Sequence, residues 1–382
     1  MIVLRKTGVA SLPLHYGRAP RWLLSRMIKL ADAIATIIID EYGQDEFLQR
    51  ISDTFWFQAL GCVLGFDWHS SGVTTVLTHV LKKAVRPDMH GVAVCGGKGK
   101  ASLRTPSEIR LVGERFGFSI SDIDQLEYSS KMSAKVDNTA IQAGYPLYHH
   151  AFFLSEEGKW AVIQQGMSVE DRTARRYHWI SDSVNQDFVN EPHEAIVGDT
   201  KRGVVLDMTA KESVECRKTS LDICKENPLK VKRLFESIRP ARQSTLQHWI
   251  QQSESRGLHD IRVLSMPRRV NWNALREVYE FQPSSYEELL SIRGVGPATV
   301  RGLTLVSEII YGKPPSWRDP VKFSFVYGGK DGVPRPVDRE AMDQSIELLK
   351  ESIQKARVDE KTKLRSLKKL ARYITSDNLN NH

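Results

Sequence analysis

Two apolar runs, residues 148–154 and 160–165, flank Glu156-Glu157-Gly158-Lys159. A short loop with glycine at its end makes the flanking runs pair antiparallel, and no other stretch limits the fold so tightly. Symmetric pairing about Glu157-Gly158 sets Phe152 opposite Ile163 and His150 opposite Gln165. Side chains alternate across a strand, so His150 and Gln165 are expected on one face, with His149 pointing to the other.

The rest of the front half mixes helices with strands. Residues 20–41 carry apolar side chains at helical spacing, with Pro20 suited to a first turn. A second apolar run, 55–66, leads through Asp67-Trp68-His69-Ser70-Ser71-Gly72 into a helical stretch at 73–83. Residues 91–95 read as a buried strand entering Gly96-Gly97-Lys98-Gly99-Lys100. Thr105-Pro106-Ser107-Glu108 then has the form of a capping box that opens a helix. From about residue 208 the chain becomes helical and basic. Asn227-Pro228 starts a helix that reaches Ile238, and residues 355–374 interleave lysine and arginine with leucine.

A chain of 382 residues exceeds what one core usually organises. The expected class is α+β, with a mixed α/β domain at 1–205, a basic helical segment at 206–265 and a helical module at 266–376. The net charge of +8 gives weak support for a polyanionic partner. Four scattered cysteines without a C-x-x-C pair argue against a disulfide framework and for a reducing, cytoplasmic setting. The start, Met-Ile-Val-Leu-Arg-Lys, meets charge before any long apolar stretch and does not read as a signal peptide, and no apolar run is long enough to span a bilayer, so no membrane partner is expected.

Ser284-Ser285 with Glu287-Glu288 caps a helix that ends at Ile292. Arg293-Gly294-Val295-Gly296-Pro297 is a tight turn, and Ala298 to Tyr311 is a second helix closed by Gly312. The pattern resembles the helix-hairpin-helix family. In that arrangement two glycines bring the backbone close to a phosphate, the N–H groups of the second helix face it, and Val295 locks the helices together. The resemblance implies DNA as partner, gripped by its backbone without sequence readout. The contacting residues would be Arg293, Gly294, Val295, Gly296, Thr299 and Arg301. An ordinary αα-hairpin with a glycine turn is the plainer alternative, and Ala298 and Thr299 stand where the family often has a basic residue.

Phe55-Trp-Phe-Gln-Ala-Leu-Gly61, Asp67-Trp-His-Ser-Ser-Gly72, Gly96-Gly-Lys-Gly-Lys100, Tyr148-His-His150, Gln164-Gln-Gly-Met167, Ala174-Arg-Arg-Tyr-His178 and Pro336-Val-Asp338 are further signatures. Through them most of the chain resembles an uncharacterised archaeal and thermophilic-bacterial family, domain of unknown function 763. That resemblance implies no activity, only a front domain joined to the hairpin module.

The front half concentrates Asp67, His69, Lys98, Lys100, His150, Gln165, Arg175, Arg176 and His178. If they converge, imidazoles supply bases or metal ligands and the cations neutralise a phosphodiester transition state, which suits a nuclease using magnesium or manganese. Each also has a bland reading. Asp67 can cap the next helix, the glycine-rich stretch lacks the Walker order and reads equally as a solvated turn, and Gly166-Met167 stand where a nuclease hairpin needs lysine. Two other functions compete. Pro336-Val-Asp338 is similar to a segment of helix-hairpin-helix DNA glycosylases, although Asp338 also serves as a cap for the helix expected after it. The third is a non-catalytic DNA-binding adaptor.

Overall fold

The computed structural model describes residues 21–65, 71–184, 187–198, 201–238 and 263–321, with a few positions between 354 and 368. Asp67, His69, Asp338 and most of the basic stretch at 355–374 lie outside the described residues.

The hairpin becomes the centre of a five-stranded antiparallel sheet. Strands β1 (Val92–Lys98), β3 (Leu147–Ser155), β4 (Trp160–Ser168), β5 (Thr173–Ile180) and β6 (Ala195–Gly198) lie in the order β1-β3-β4-β5-β6. Helices α1 (Arg21–Ser52, broken at Gly43), α2 (Thr54–Leu64) and α3 (Ser71–Ala84) cover one face, and the single turn α4 (Pro87–His90) leads into β1. The other face carries α5 (Thr105–Phe116) and α6 (Ile120–Thr139). Val94, Phe153 and Ile163 point into the first layer, Phe152, Val162 and Trp179 into the second. With both faces covered, the strands read as continuous apolar runs rather than alternating ones.

The chain then turns through β2 (Ile141–Gln142) before the sheet. After the turn α7 (Ser181–Val184) and β6 it forms β7 (Leu206–Asp207), which pairs with β2. Helices α8 (Val214–Cys224), α9 (Pro228–Ile238), α10 (Trp272–Phe281), α11 (Tyr286–Ser291) and α12 (Pro297–Tyr311) follow. The sequence sets a boundary near residue 205, yet Leu275, Leu289, Leu303 and Val306 share one core with Phe152 and Trp179. The class is mixed α and β, as expected.

Two local expectations are corrected. The hairpin pairs Phe152 with Val162, His150 with Gln164, and His149 with Gln165. Gly158 takes a left-handed conformation (φ +83°) and its N–H bonds to Ser155 O at 3.0 Å, while Ser155 N–H bonds to Lys159 O at 2.9 Å. The loop is therefore three residues closed by a glycine bulge, not two, and the extra residue moves the register by one. His150 and Gln165 face opposite sides.

The glycine-rich stretch is also different. The strand runs on through Gly96 and Gly97 to Lys98, followed by a 3-10 turn at Gly99–Arg104. Glu108 does not close a capping box. Its Oε2 accepts the Gly96 N–H at 2.7 Å and pairs with Lys82 Nζ at 2.5 Å, and that same ammonium donates to Gly96 O at 2.7 Å. One ion pair thus occupies both backbone groups of Gly96 on an edge strand, which blocks further strand addition there.

Candidate functional site

The two central glutamines organise two separate polar networks, one under each helical layer. On the α1–α3 side, Gln165 Nε2 donates to Ser71 O at 3.0 Å and to the Tyr148 hydroxyl, and its Oε1 accepts from Thr74 Oγ1 at 2.5 Å. A bulge between Leu147 and His149 leaves Tyr148 out of the ladder. The bulge lets it reach the same side as His149, whose Nε2 shares a hydrogen bond with Thr78 at 2.9 Å. Arg176 donates to Thr74 at 3.4 Å and lies over the Phe57 ring at 4.8 Å, with His178 edge-on to the same ring at 5.5 Å. Lys98 lies over Tyr148 at 5.6 Å, at the exposed end of this network.

On the α5–α6 side a chain of bonds crosses the sheet. Gln164 Nε2 donates to Ser133 O at 3.0 Å and to Asp137 Oδ2, so its Oε1 is left to accept from His150 Nδ1 at 2.8 Å. His150 Nε2 then meets Ser130 Oγ at 2.9 Å. Asp137 also takes Trp179 Nε1 at 3.0 Å on Oδ2 and His193 Nε2 on Oδ1. Burial of the Asp137 carboxylate is complete, and all three donors are aimed by the sheet or by the loop before β6. Arg175 lies on this face too, in a fully buried pair with Asp319 at 2.7 Å.

The described candidates therefore do not form one site. Lys98, Gln165, Arg176 and His178 lie on one face, His150 and Arg175 on the other, and Lys100 is exposed in the 3-10 turn. Sequence reading missed Asp137 and His193. Among the described residues no group of three or more His, Cys, Asp or Glu side chains could hold a metal ion, which gives the expected magnesium or manganese no ligand set there.

Burial sets the protonation of these histidines. It pushes His149 down to about 3, helped by His150 and Lys98; it holds His150 below 6.5, and His178 well below, where Arg176 adds to it. Burial also pushes Arg176 down to about 9. Below about pH 6.5 these histidines take up protons in the unfolded chain that the folded one refuses, so the stability they contribute is full above that pH and falls as the pH drops toward 3. Each such histidine contributes a slope of up to about 1.4 kcal/mol per pH unit. Urea midpoints measured from pH 7 to pH 4 are expected to fall steeply, and His149→Gln should lessen the slope by one proton. Parallel slopes in the two proteins would show that His149 is not held neutral.

The α11–α12 turn is a third feature. Ser285 Oγ accepts the Glu288 N–H at 3.1 Å, and Glu288 Oε2 accepts Ser284 N–H at 2.6 Å, which fixes the start of α11. Gly294 is left-handed (φ +87°), and a Cβ there would stand 2.5 Å from Asn271 Nδ2. Val295 is fully buried, whereas Arg293 and Gly294 are exposed and a Cβ on Gly296 would meet nothing within 4 Å. Lys135 Nζ reaches Ile292 O at 3.5 Å. Thr299 is only 1% exposed and so is packed inside, and Arg301 turns inward to Gln142 Oε1 at 3.2 Å. Both were expected at the surface of the turn.

Last, a cleft of about 140 Å³ opens beside β7, lined by Glu191, His193, Asp207, Glu212, Arg318 and Asp319 among others. Asp207 pairs with Ile141 in the β2–β7 ladder, and the neighbouring Gln142 donates to Pro297 O at 2.8 Å. Cleft and turn thus hang on one short ladder.

The sequence from residue 8 to residue 337 matches the family model described as protein of unknown function, DUF763. The chain belongs to the DUF763 family. No curated protein and no solved structure matches it. The family match spans the sheet, both helical layers and the α11–α12 turn, so the networks, the turn and the cleft all lie inside it.

Proposed function

We propose that the protein binds nucleic-acid backbone, DNA foremost, through the turn at residues 293–297. The observation that carries this reading is an exposed, side-chain-free ledge at the start of a fifteen-residue helix. Gly294 supplies the left-handed turn, Gly296 leaves open space, and buried Val295 holds the ledge in place. N–H groups at such a helix start, with the helix dipole behind them, suit a phosphate oxygen. Arg293 and Lys135 add positive charge beside it. Contacts of this kind grip backbone and carry no base readout, so affinity should depend on salt more than on sequence.

Gly296→Glu is the cleanest probe, because a Cβ there meets nothing within 4 Å and the substitution puts a carboxylate at the ledge. Combined with Arg293→Glu it should weaken binding at least about ten-fold, equally for two duplexes of unrelated sequence, by fluorescence anisotropy at moderate salt. Unchanged affinity in the double variant would remove the reading. Among the described residues no helix is long and apolar enough to cross a membrane. Hydrolysis is a second reading. The split of the candidate residues between two faces leaves it without the constellation expected from sequence, and what favours it is the cleft at His193.

A further inference from the structure

We infer that a single strand of DNA, gripped at the 293–297 turn, runs on past the C-terminal end of α6 to a second contact made by Tyr148, Lys98 and Lys100. The inference deepens the backbone-binding reading of the turn and rests on it.

The route is built from direct contacts. Lys135 Nζ reaches Ile292 O at 3.5 Å, next to Arg293. Asn138 stands one helical turn further along α6 and is exposed, and its Oδ1 accepts the Leu147 N–H at 3.3 Å. Tyr148 follows, with Lys98 Nζ 5.6 Å from its ring centroid. A second link runs alongside, because Gln142 Nε2 donates to Pro297 O at 2.8 Å and the chain continues from there to Leu147. From the turn to Lys98 the distance is on the order of 20 Å, about six nucleotides of a stacked strand.

Charge marks this route off from its surroundings. The chain has 46 Asp and Glu in 382 residues, yet segments 95–107, 138–155 and 291–307 contain none. Two acids stand close by, and both are engaged. Asp137 is buried against Gln164, Trp179 and His193, and Glu108 is held by Lys82 and the Gly96 N–H. Lys98, Lys100 and Arg293 are exposed, and among the described residues none of them carries an ion pair. A polyanion on this route meets cations at both ends and no carboxylate from these segments.

Tyr148 decides between a single strand and a duplex. The bulge between Leu147 and His149 turns it out of the ladder, its hydroxyl is held by Gln165, and its ring is half-buried. An aromatic ring fixed at one end, beside lysines, is a platform on which an unpaired base stacks while the ammonium groups take its phosphates. Bases in a duplex are stacked on one another and offer such a ring no face. Stacking of this kind tolerates any sequence, in keeping with a turn that reads none.

The test measures fluorescence anisotropy of the full chain with labelled oligo-dT of about 12 nucleotides, enough to span both contacts, and with a duplex of equal length. The parent should bind the single strand more tightly. Lys98→Glu with Lys100→Glu should weaken oligo-dT binding about ten-fold or more and lower its log–log salt slope by about 1.4, as two lost phosphate contacts require. Tyr148→Leu should weaken it about five-fold or more, while Tyr148→Phe, which keeps the ring and loses the hydroxyl, should stay within about two-fold of the parent. Duplex affinity should be unmoved by either change at Tyr148. Unaltered oligo-dT binding in the lysine variant or in Tyr148→Leu, or an equal loss in Tyr148→Phe, would overturn the inference. If Arg293→Glu with Gly296→Glu weakens binding and the lysine variant does not, the turn stands and the route falls. The reverse pattern would remove the turn, and the route with it, and leave Tyr148 and its lysines as a contact by themselves.

Discussion

Gly166→Ala is expected to lower stability by about 3 kcal/mol, the upper range for overpacking a dense interior. A Cβ at Gly166 would lie 2.1 Å from the Tyr145 carbonyl oxygen and 2.8 Å from its carbon. These are backbone atoms, so no rotamer change relieves the clash. Met167 N–H bonds to Pro146 O at 3.1 Å and fixes the same approach, so β4 would have to part from the bulge that carries Tyr148. Urea unfolding measures the loss. Gly296→Ala is the control, because it meets nothing within 4 Å and should stay within about 0.5 kcal/mol of the parent. Near-equal midpoints for the two variants would show that the strand accommodates a methyl group there.

Asp319→Ala should cost more, about 3–5 kcal/mol, because it strands a buried guanidinium. Arg175 and Asp319 are both fully buried, and Arg175 already has Nε and Nη1 without partners. Asp319 also accepts the N–H groups of Arg202 and Val321, at 2.7 and 3.1 Å. The pair ties β5 to the segment after α12, so its loss should free that segment as well as lower the midpoint. Replacing both partners, Arg175→Met with Asp319→Leu, should recover much of the stability, because an apolar pair of similar volume leaves no charge unmatched. A double variant as unstable as Asp319→Ala alone would locate the cost in the backbone bonds of Asp319 instead.

Sequence made the local elements legible wherever a backbone signal marks them. Asn227 Oδ1 accepts the Leu229 N–H at 2.9 Å at the start of α9, and Ser285 caps α11, both as their residue types suggest. The hairpin lies where its glycine indicated, but its pairing depends on whether the loop counts two residues or three, which Glu156-Glu157-Gly158 does not reveal by composition. Helix α6 escaped notice for a different reason. Its buried positions include Ser129, Ser130, Ser133 and Asp137, placed there to meet His150, Gln164, Trp179 and His193. A helix that turns polar groups inward to satisfy a polar sheet face shows little apolar periodicity. That is also why Asp137 and His193 stayed hidden, since neither stands in a local motif and their partnership spans 56 residues.

The three-residue loop at the hairpin has a consequence for how this chain can change over time. Strand side chains alternate, so the number of residues in the loop acts as a parity that decides which network each histidine and glutamine joins. Glu157 is exposed, and exchanging it alters little in the fold. Deleting one residue there would slip β4 against β3 by one pair and set His150 opposite Gln165, and adding one would set it opposite Ile163, across a sheet whose helices offer Thr74 to one face and Asp137 to the other. The loop is thus free in its letters and fixed in its count, and a length change becomes tolerable only with a second one nearby that restores the parity.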